Sequence, residues 1–473
     1  MKNMKGSLRW FGPFFVALFL LLAAYGGYNL IKSGRRWFSF TGNVYARQQK
    51  TNTTAGPIYD TNGILLAYTA DGKRVYPEEE IMRRAMVHVI GDAQGNVANA
   101  VESFMAYYLY GFDMDFIDQA RLFFSGGQKI GDSVLLTVDA ELSAQIAANF
   151  PADKKGAVCV VNYETGEVIA LLSFPNFDPM GSIASARRDP GQPFYNRAVQ
   201  GLYAPGSTFK IVTMTAMLDA FGDAAQRQYV CTGDLELNGA LITDAGTDIA
   251  KGTFVRHGDI TLERAFRVSC NNTFAQAALD LTDARLKKTA ERFGFNVNFM
   301  FRDLVVENSA YPVTNRSARE VAMTGIGQSA LAASPMHLCL IAAAVANDGV
   351  MMEPRLLKSV LSYRGEVLEN FSSQMFRRVM TPEQAAVIGN LMADVVQSGT
   401  GTAARISGVR VCGKTGSAEI DGQENTNAWF VGYLDEASCP YALCVLVEDA
   451  GGGGTAAAPI ARRIFSYLLS LNP

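Results

Sequence analysis

The residues with the clearest chemical potential are Ser207 and Lys210, within the stretch Tyr-Ala-Pro-Gly-Ser-Thr-Phe-Lys. Pro205 and Gly206 predict a turn, and the apolar residues after them predict a buried helix that begins at Ser207. In a helix these two side chains lie one turn apart on the same face. Serine becomes a nucleophile when a base takes its proton and N–H groups hold the resulting oxyanion. Alone, the pair is a weak signal, because a capped helix with a surface lysine gives the same pattern.

A second polar cluster, Ser269-Cys-Asn271, follows further along the chain. The Ser269 hydroxyl can pass a proton, and the Asn271 amide can donate to a substrate carbonyl while accepting from Lys210. Alone, this cluster is better interpreted as a polar cap where a helix meets a loop.

The third cluster, Lys414-Thr-Gly-Ser417, predicts an edge strand that runs into a loop. Residues 408–415 also match the phosphate-binding pattern G-x-x-x-x-G-K-[ST], which requires a helix at its lysine. Gly416 and the turn sequence 421–427 argue against such a helix, so we favour the strand. Gly416 would let a substrate backbone approach this strand and pair with it. The N–H groups of Ser417 and Ser207 could then hold an oxyanion together.

Composition narrows the range of other functions. The chain has 473 residues, of which 49% are hydrophobic, and a net charge of −3, so it has room for several domains and no nucleic-acid signal. None of the three histidines lies in a familiar nucleophile or zinc pattern, and His257 is expected to be a structural loop residue. The seven cysteines contain no Cys-x-x-Cys pair and predict buried thiols. We therefore predict neither a metal site nor a cofactor.

The N-terminal region predicts a membrane anchor. Residues 10–31 carry no charge and are long enough to cross a bilayer, which takes about 20 residues. A cleaved signal peptide is the alternative, but the uncharged run continues too far to favour it. We therefore predict a cytoplasmic tail at 1–9, an anchor at 10–31 and a membrane-proximal spacer at 32–134.

The remaining residues, 135–473, predict one α+β domain. Two strongly apolar strands, 156–162 and 167–173, form a hairpin, and three further strands are predicted at 409–419, 428–434 and 441–448. The residues between the hairpin and the last three strands are predicted to be mostly helical, and a last helix is predicted at 456–471. We expect one central antiparallel sheet that both ends of the domain complete, with helices on its faces.

The order Ser-x-x-Lys, Ser-x-Asn, Lys-Thr-Gly resembles the motifs of penicillin-recognising serine acyltransferases. Other stretches make the chain similar to class B penicillin-binding proteins: Asn196-Arg-Ala, His257-Gly, Gly325-Ile-Gly-Gln328, Gly399-Thr-Gly401 and Ala428-Trp-Phe-Val-Gly432. The similarity is dense over 135–473 and thin before it. One departure from the family pattern is Ala55, where such proteins often carry an arginine just before the Gly-x-Ile-x-Asp motif of the spacer.

The resemblance implies a monofunctional D,D-transpeptidase with the penicillin-binding, serine β-lactamase-like fold. It implies catalytic roles for Ser207, Lys210, Ser269, Asn271 and Lys414, and substrate binding by Thr415, Gly416, Ser417 and Trp429. The implied partners are peptidoglycan stem peptides, β-lactams, the cell membrane and other cell-wall synthesis proteins, such as a glycosyltransferase of the division, elongation or sporulation machinery. The catalytic domain is expected outside the membrane.

Three alternatives keep the fold or the site but change the function. A D,D-carboxypeptidase or a β-lactamase would use water as the acceptor, and a sensor or scaffold would not catalyse. The glutamate motif of class A β-lactamases, Glu-x-x-x-Asn, is not matched at Glu307, which Asn308 follows directly. The sequence leaves open the acceptor amine, diaminopimelate or lysine, and the septal, elongation or sporulation role.

Overall fold

The computed structural model describes residues 11–28, 53–114, 121–122, 124–125, 129–312, 316–419 and 426–471. Its strands, in chain order, are β1 Thr53–Thr54, β2 Ile58–Tyr59, β3 Leu65–Ala70, β4 Lys73–Val75, β5 Lys129–Ile130, β6 Ser133–Leu136, β7 Gly156–Asn162, β8 Val168–Phe174, β9 Gln228–Cys231, β10 Asp234–Leu237, β11 Ala240–Thr243, β12 Gly258–Thr261, β13 Val350–Met352, β14 Leu357–Leu361, β15 Val367–Asn370, β16 Met375–Arg378, β17 Val411–Glu419, β18 Thr426–Leu434 and β19 Tyr441–Val447.

The helices within the described residues alternate with these strands. In chain order they are α1 Phe11–Tyr28, α2 Glu80–Ile90, α3 Val101–Phe104, α4 Ala106–Leu109, α5 Ala140–Asn149, α6 Ile183–Arg188, α7 Lys210–Ala220, α8 Leu262–Val268, α9 Asn271–Leu281, α10 Asp283–Phe293, α11 Ala318–Gly325, α12 Pro335–Ala346, α13 Pro382–Ser398 and α14 Gly453–Leu471. Short 3₁₀ turns lie at Gly206–Phe209, Ala224–Gln226 and Thr402–Ala404.

A five-stranded antiparallel sheet forms the centre of the molecule. Its strand order is β17-β18-β19-β7-β8, so the first hairpin and the last three strands share one sheet, as predicted. The Lys-Thr-Gly strand, β17, lies at the edge, which also confirms the prediction. An edge strand keeps one side free of strand partners, and that side is where a peptide can be added.

The two faces of this sheet bury alternate side chains under different helices. Cys159 and Val161 belong to the core that contains α12, whereas Val158 and Val160 belong to the core that contains α14. This alternation follows from the two-residue repeat of a strand. Because both faces are covered, the strands are apolar throughout. The α+β fold with helices on a central antiparallel sheet is therefore confirmed.

A second sheet joins the N-terminal part of the chain to its C-terminal half. Its strand order is β15-β14-β6-β2-β3-β4, and β6 pairs with β14 on one side and with β2 on the other. Within the predicted spacer, β2 and β3 pair as an antiparallel hairpin. The predicted domain boundary at 134 falls inside β6, and the division of the chain into domains stays a prediction.

Helix α1 is the described part of the predicted membrane anchor. It has 18 residues, a mean hydropathy of 1.7 and no buried residue, so it is long and apolar enough to cross a membrane. The other residues of the predicted anchor, residue 10 and residues 29–31, lie outside the described residues, as does the predicted tail.

Candidate active site

Ser207 lies in a 3₁₀ turn that leads into helix α7. We predicted that the helix itself begins at the serine; instead the turn Gly206–Phe209 comes first and the α-helix begins at Lys210. Gly206 has a φ of +54° and donates its N–H to the Gly327 carbonyl at 2.9 Å. A Cβ on Gly327 would lie 1.8 Å from the Gly206 carbonyl oxygen, so this close backbone approach requires glycine.

The same turn packs directly against the edge strand β17. A Cβ on Gly416 would lie 3.0 Å from the Thr208 methyl and 3.1 Å from the Pro205 carbonyl oxygen. A Cβ on Gly206 would lie 2.7 Å from the Ser417 carbonyl oxygen. Glycine at these positions therefore lets the serine turn and the Lys-Thr-Gly strand touch, and this contact brings the first and third sequence clusters together.

Ser269 links the second cluster to both lysines. It ends helix α8 in the left-handed conformation, with φ 60° and ψ 36°, and helix α9 begins at Asn271. This sharp turn leaves the Ser269 carbonyl and hydroxyl available to the lysine amines. The Lys210 amine donates to the Ser269 carbonyl at 2.7 Å and to Asn271 Oδ1 at 2.8 Å.

The third cluster completes this arrangement through Lys414. Its amine donates to Ser269 Oγ at 2.8 Å and to the Thr415 carbonyl at 3.1 Å. The Lys210 amine lies 3.4 Å from the same Ser269 Oγ. Both lysines have no exposed surface. One hydroxyl therefore connects two buried amines that are far apart in the sequence, and a proton could pass between them through it.

Burial changes the acid–base chemistry of both amines. It lowers the pKa of Lys210 to about 8, although electrostatic interactions with Cys270 and Asp244 oppose this change. Burial also lowers the pKa of Lys414 well below its usual value, and the positive charge of Lys210 lowers it further. A neutral lysine amine can accept a proton, so these environments suit the lysines to act as bases near neutral pH.

The remaining predicted site residues differ in their surroundings. Ser207 is half-buried, and its hydroxyl has no hydrogen-bond partner among the described residues. The Thr415 hydroxyl lies 2.5 Å from that of Thr400, and Ser417 Oγ accepts from the Gly453 N–H at 3.3 Å. Trp429 is fully buried and pairs with Gly416 on the neighbouring strand, and its role in substrate binding stays a prediction.

Four side chains beside the second cluster have the donor atoms of a metal site, which the sequence analysis did not foresee. One potential ligand atom from each of Cys231, Asp244, His257 and Cys270 lies within 4.8 Å of the others. Two thiols, one imidazole and one carboxylate are a donor set that tetrahedral Zn²⁺ accepts. All seven cysteines are buried, as predicted. In the sequence, the four residues of the potential metal site follow one another at a regular spacing of 13 positions, and this spacing was the available signal.

This cluster is joined directly to the Ser-x-Asn motif. Cys270 lies between Ser269 and Asn271 in the chain, and the Asp244 carboxylate accepts from the Asn271 backbone N–H. The same carboxylate lies 3.1 Å from His257 Nδ1 and 3.2 Å from Cys270 Sγ. A metal ion held here would therefore position the motif without touching the reacting serine.

Comparison with known proteins identifies the family. Residues 156–466, more than half of the chain, match the penicillin binding protein transpeptidase domain. The chain belongs to this family. The peptidoglycan D,D-transpeptidase PbpA of Mycolicibacterium smegmatis is 30% identical to it over 463 residues, which cover 90% of each chain. The peptidoglycan D,D-transpeptidase MrdA of Acinetobacter baumannii is 27% identical over 380 residues, which cover 72% of this chain and 54% of MrdA.

Solved structures agree with this assignment. Penicillin-binding protein A from M. tuberculosis, as an imipenem acyl-enzyme complex, matches with a TM-score of 0.78 and 29% identity over 89% of this chain and 100% of the other. The penicillin G acyl-enzyme complex of that protein matches with a TM-score of 0.77 and 28% identity over 88% of this chain and 100% of the other. The resemblance to class B penicillin-binding proteins is confirmed.

Proposed function

We propose that this penicillin-binding protein is a serine D,D-transpeptidase that cross-links peptidoglycan and that penicillins acylate at Ser207. The observation that carries the proposal is the meeting of both buried lysine amines at Ser269 Oγ, beside the turn that presents Ser207. The named relatives are peptidoglycan D,D-transpeptidases, and solved relatives form acyl-enzymes with β-lactams. These facts support acyl transfer through a serine ester.

In the acylation step, Lys210 removes the Ser207 proton as the serine oxygen attacks the carbonyl between two terminal D-alanines. The N–H groups of Ser207 and Ser417 hold the oxyanion, as is usual for acyl transfer. The C–N bond then breaks, and the proton that Lys210 took from Ser207 passes through the Ser269 hydroxyl to the leaving D-alanine nitrogen, while Lys414 holds that hydroxyl from 2.8 Å. Asn271 orients Lys210 through the 2.8 Å contact to its amide oxygen.

In the second step, an amine of a neighbouring stem peptide attacks the ester carbonyl of the acyl-enzyme. The amine gives a proton to Lys210 as the new amide bond forms, the ester bond breaks, and Ser207 takes that proton back from Lys210. Edge strand β17 supports this sequence because an extended stem peptide could pair beside Gly416. Thr415 and Ser417 offer hydroxyl groups for the terminal carboxylate of the donor peptide.

The central test is covalent labelling with a fluorescent penicillin, followed by intact-mass measurement and mapping of the modified peptide. Ser207→Ala should abolish labelling, whereas Ser185→Ala, an exposed serine on helix α6, should label as the wild type does. The mapped peptide should contain residue 207. Labelling that persists in Ser207→Ala would refute the assignment of the nucleophile.

Product analysis separates the transpeptidase from enzymes that use water. With a D-Ala-D-Ala peptide and an added amino-acid acceptor, a transpeptidase forms the amide product, whereas a carboxypeptidase forms only the shortened acid. The exposed Glu307, whose N–H donates to the Val199 carbonyl, gives no support to a β-lactamase base. We therefore expect amide product that increases with acceptor concentration.

Anchoring and partners form the last part of the proposal. Helix α1 would tether the protein to the cell membrane, with the catalytic part on the outer side, where peptidoglycan is made. Other cell-wall synthesis proteins, such as a glycosyltransferase, are the expected partners. Protease accessibility of residues 53–471 in intact spheroplasts tests this topology, because a cytoplasmic domain would stay protected.

A further inference from the structure

Thr400 lies next to the predicted carboxylate-binding strand but was not among the predicted site residues. It follows helix α13 in the turn Gly399-Thr-Gly401, and its hydroxyl lies 2.5 Å from the Thr415 hydroxyl. Thr415 is only 5% exposed, whereas Thr400 is exposed. Of the two bonded hydroxyls, Thr400 is therefore the one that solvent, or a ligand in the cleft, reaches more easily.

The turn that carries Thr400 is held by close backbone contacts on two sides. A Cβ on Gly399 would lie 2.3 Å from the Arg267 carbonyl oxygen, which belongs to helix α8 shortly before Ser269. A Cβ on Gly454 would lie 2.4 Å from the Thr400 carbonyl oxygen. The position of Thr400 is thus fixed between the Ser-x-Asn helix and the start of helix α14.

We propose that Thr400 is a substrate-binding residue that, with Thr415, binds the terminal carboxylate of the donor peptide or the carboxylate of a penicillin. This inference rests on the proposed function, since it names a further residue of the same site. The chemistry follows from the hydroxyl pair. When one hydroxyl donates to the other, the second keeps its own hydrogen, and a carboxylate is a strong acceptor for it.

The direction of the Lys414 side chain explains why the carboxylate would be bound by hydroxyl groups. Adjacent side chains of a strand point to opposite sides, so Lys414 and Thr415 leave β17 in opposite directions. The Lys414 amine is directed to Ser269, 2.8 Å away, whereas the Thr415 hydroxyl is directed to Thr400. Lys414 therefore serves the proton-transfer side, and the carboxylate side depends on neutral donors.

The test compares acylation by benzylpenicillin with acylation by its methyl ester, which lacks the charged carboxylate. Thr400→Val removes the hydroxyl and keeps the side-chain shape. It should lower the acid-to-ester ratio of acylation rates roughly 10- to 100-fold, as expected for a lost hydrogen bond to a charged group. Thr400→Ser, which keeps a hydroxyl, should retain the ratio within about threefold.

Thr402→Val is the matched control, because Thr402 is exposed and lies two residues further on in the same segment. It should leave the acid-to-ester ratio at the wild-type value. An unchanged ratio in Thr400→Val, or an equal fall with acid and ester, would overturn the role of Thr400. Failure of the proposed function is a separate result, since it would appear as labelling that does not depend on Ser207.

Discussion

The lowered pKa of Lys210 gives a quantitative prediction for the pH dependence of acylation. If Lys210 must be neutral to deprotonate Ser207, the acylation rate follows its neutral fraction. With a pKa of about 8, that fraction rises roughly ninefold from pH 6 to 7, roughly fivefold from 7 to 8 and less than twofold from 8 to 9. A solvent-exposed lysine would instead give a rise of roughly tenfold for each pH step up to about 10.

The assay is the second-order rate of covalent labelling by a fluorescent penicillin, measured by stopped flow between pH 6 and 9.5. Asn271→Asp is the informative variant, because its carboxylate would replace an amide oxygen that lies 2.8 Å from the Lys210 amine. The added negative charge should raise the pKa of Lys210 by roughly one to three pH units. Acylation should then be slow at pH 7 and recover partly as the pH rises.

This pH recovery separates an electrostatic effect from simple damage to the site. A misfolded or misaligned variant would be slow at every pH, with its midpoint unchanged. Wild-type acylation that is flat between pH 6 and 8 would show that Lys210 is not the titrating base. A midpoint of Asn271→Asp that coincides with that of the wild type would show the same.

Two further predictions concern the support around the site. If the cluster around Cys231 binds zinc, mass spectrometry of the purified protein should find about one zinc ion per chain. A chelator should then lower the unfolding temperature of the protein, and Cys231→Ser should lose both the zinc and the effect of the chelator. Gly327→Ala should slow acylation, because its Cβ would collide with the Gly206 carbonyl in the turn before Ser207. Gly365→Ala is the control, since Gly365 has a similar φ of +86° in open space and should cost about 1 kcal/mol of stability without slowing acylation.

The central sheet could be predicted from the sequence because its signals are local and strong. The strand at 156–162 has six consecutive residues without a polar side chain, and a seven-residue strand of that kind must be covered on both faces. The edge position of β17 followed from Gly416 and the turn sequence after it. The second sheet was not predicted as a whole, because its strands are short. In addition, the paired strands β6 and β14 are more than 200 residues apart in the sequence.

The three motif clusters could be predicted to meet, but their detailed geometry could not. Residue order and chemistry suggested that Ser207, Lys210, Ser269 and Lys414 share one cleft. The αL conformation of Ser269, which turns its carbonyl toward Lys210, has no sequence signal, because serine rarely adopts a positive φ.

The residues that were not predicted as site residues are brought to the site by tertiary contacts. Cys231, Asp244 and His257 lie in three separate loops or short strands, and only the fold brings them to Cys270. Thr400 is likewise an ordinary turn residue until helix α13 places it beside Thr415. In both cases the predicted motif supplies one member and the fold supplies the others. The supporting residues of this active site must therefore be found from contacts to the motifs, and the acid-to-ester and zinc measurements test whether those contacts carry function.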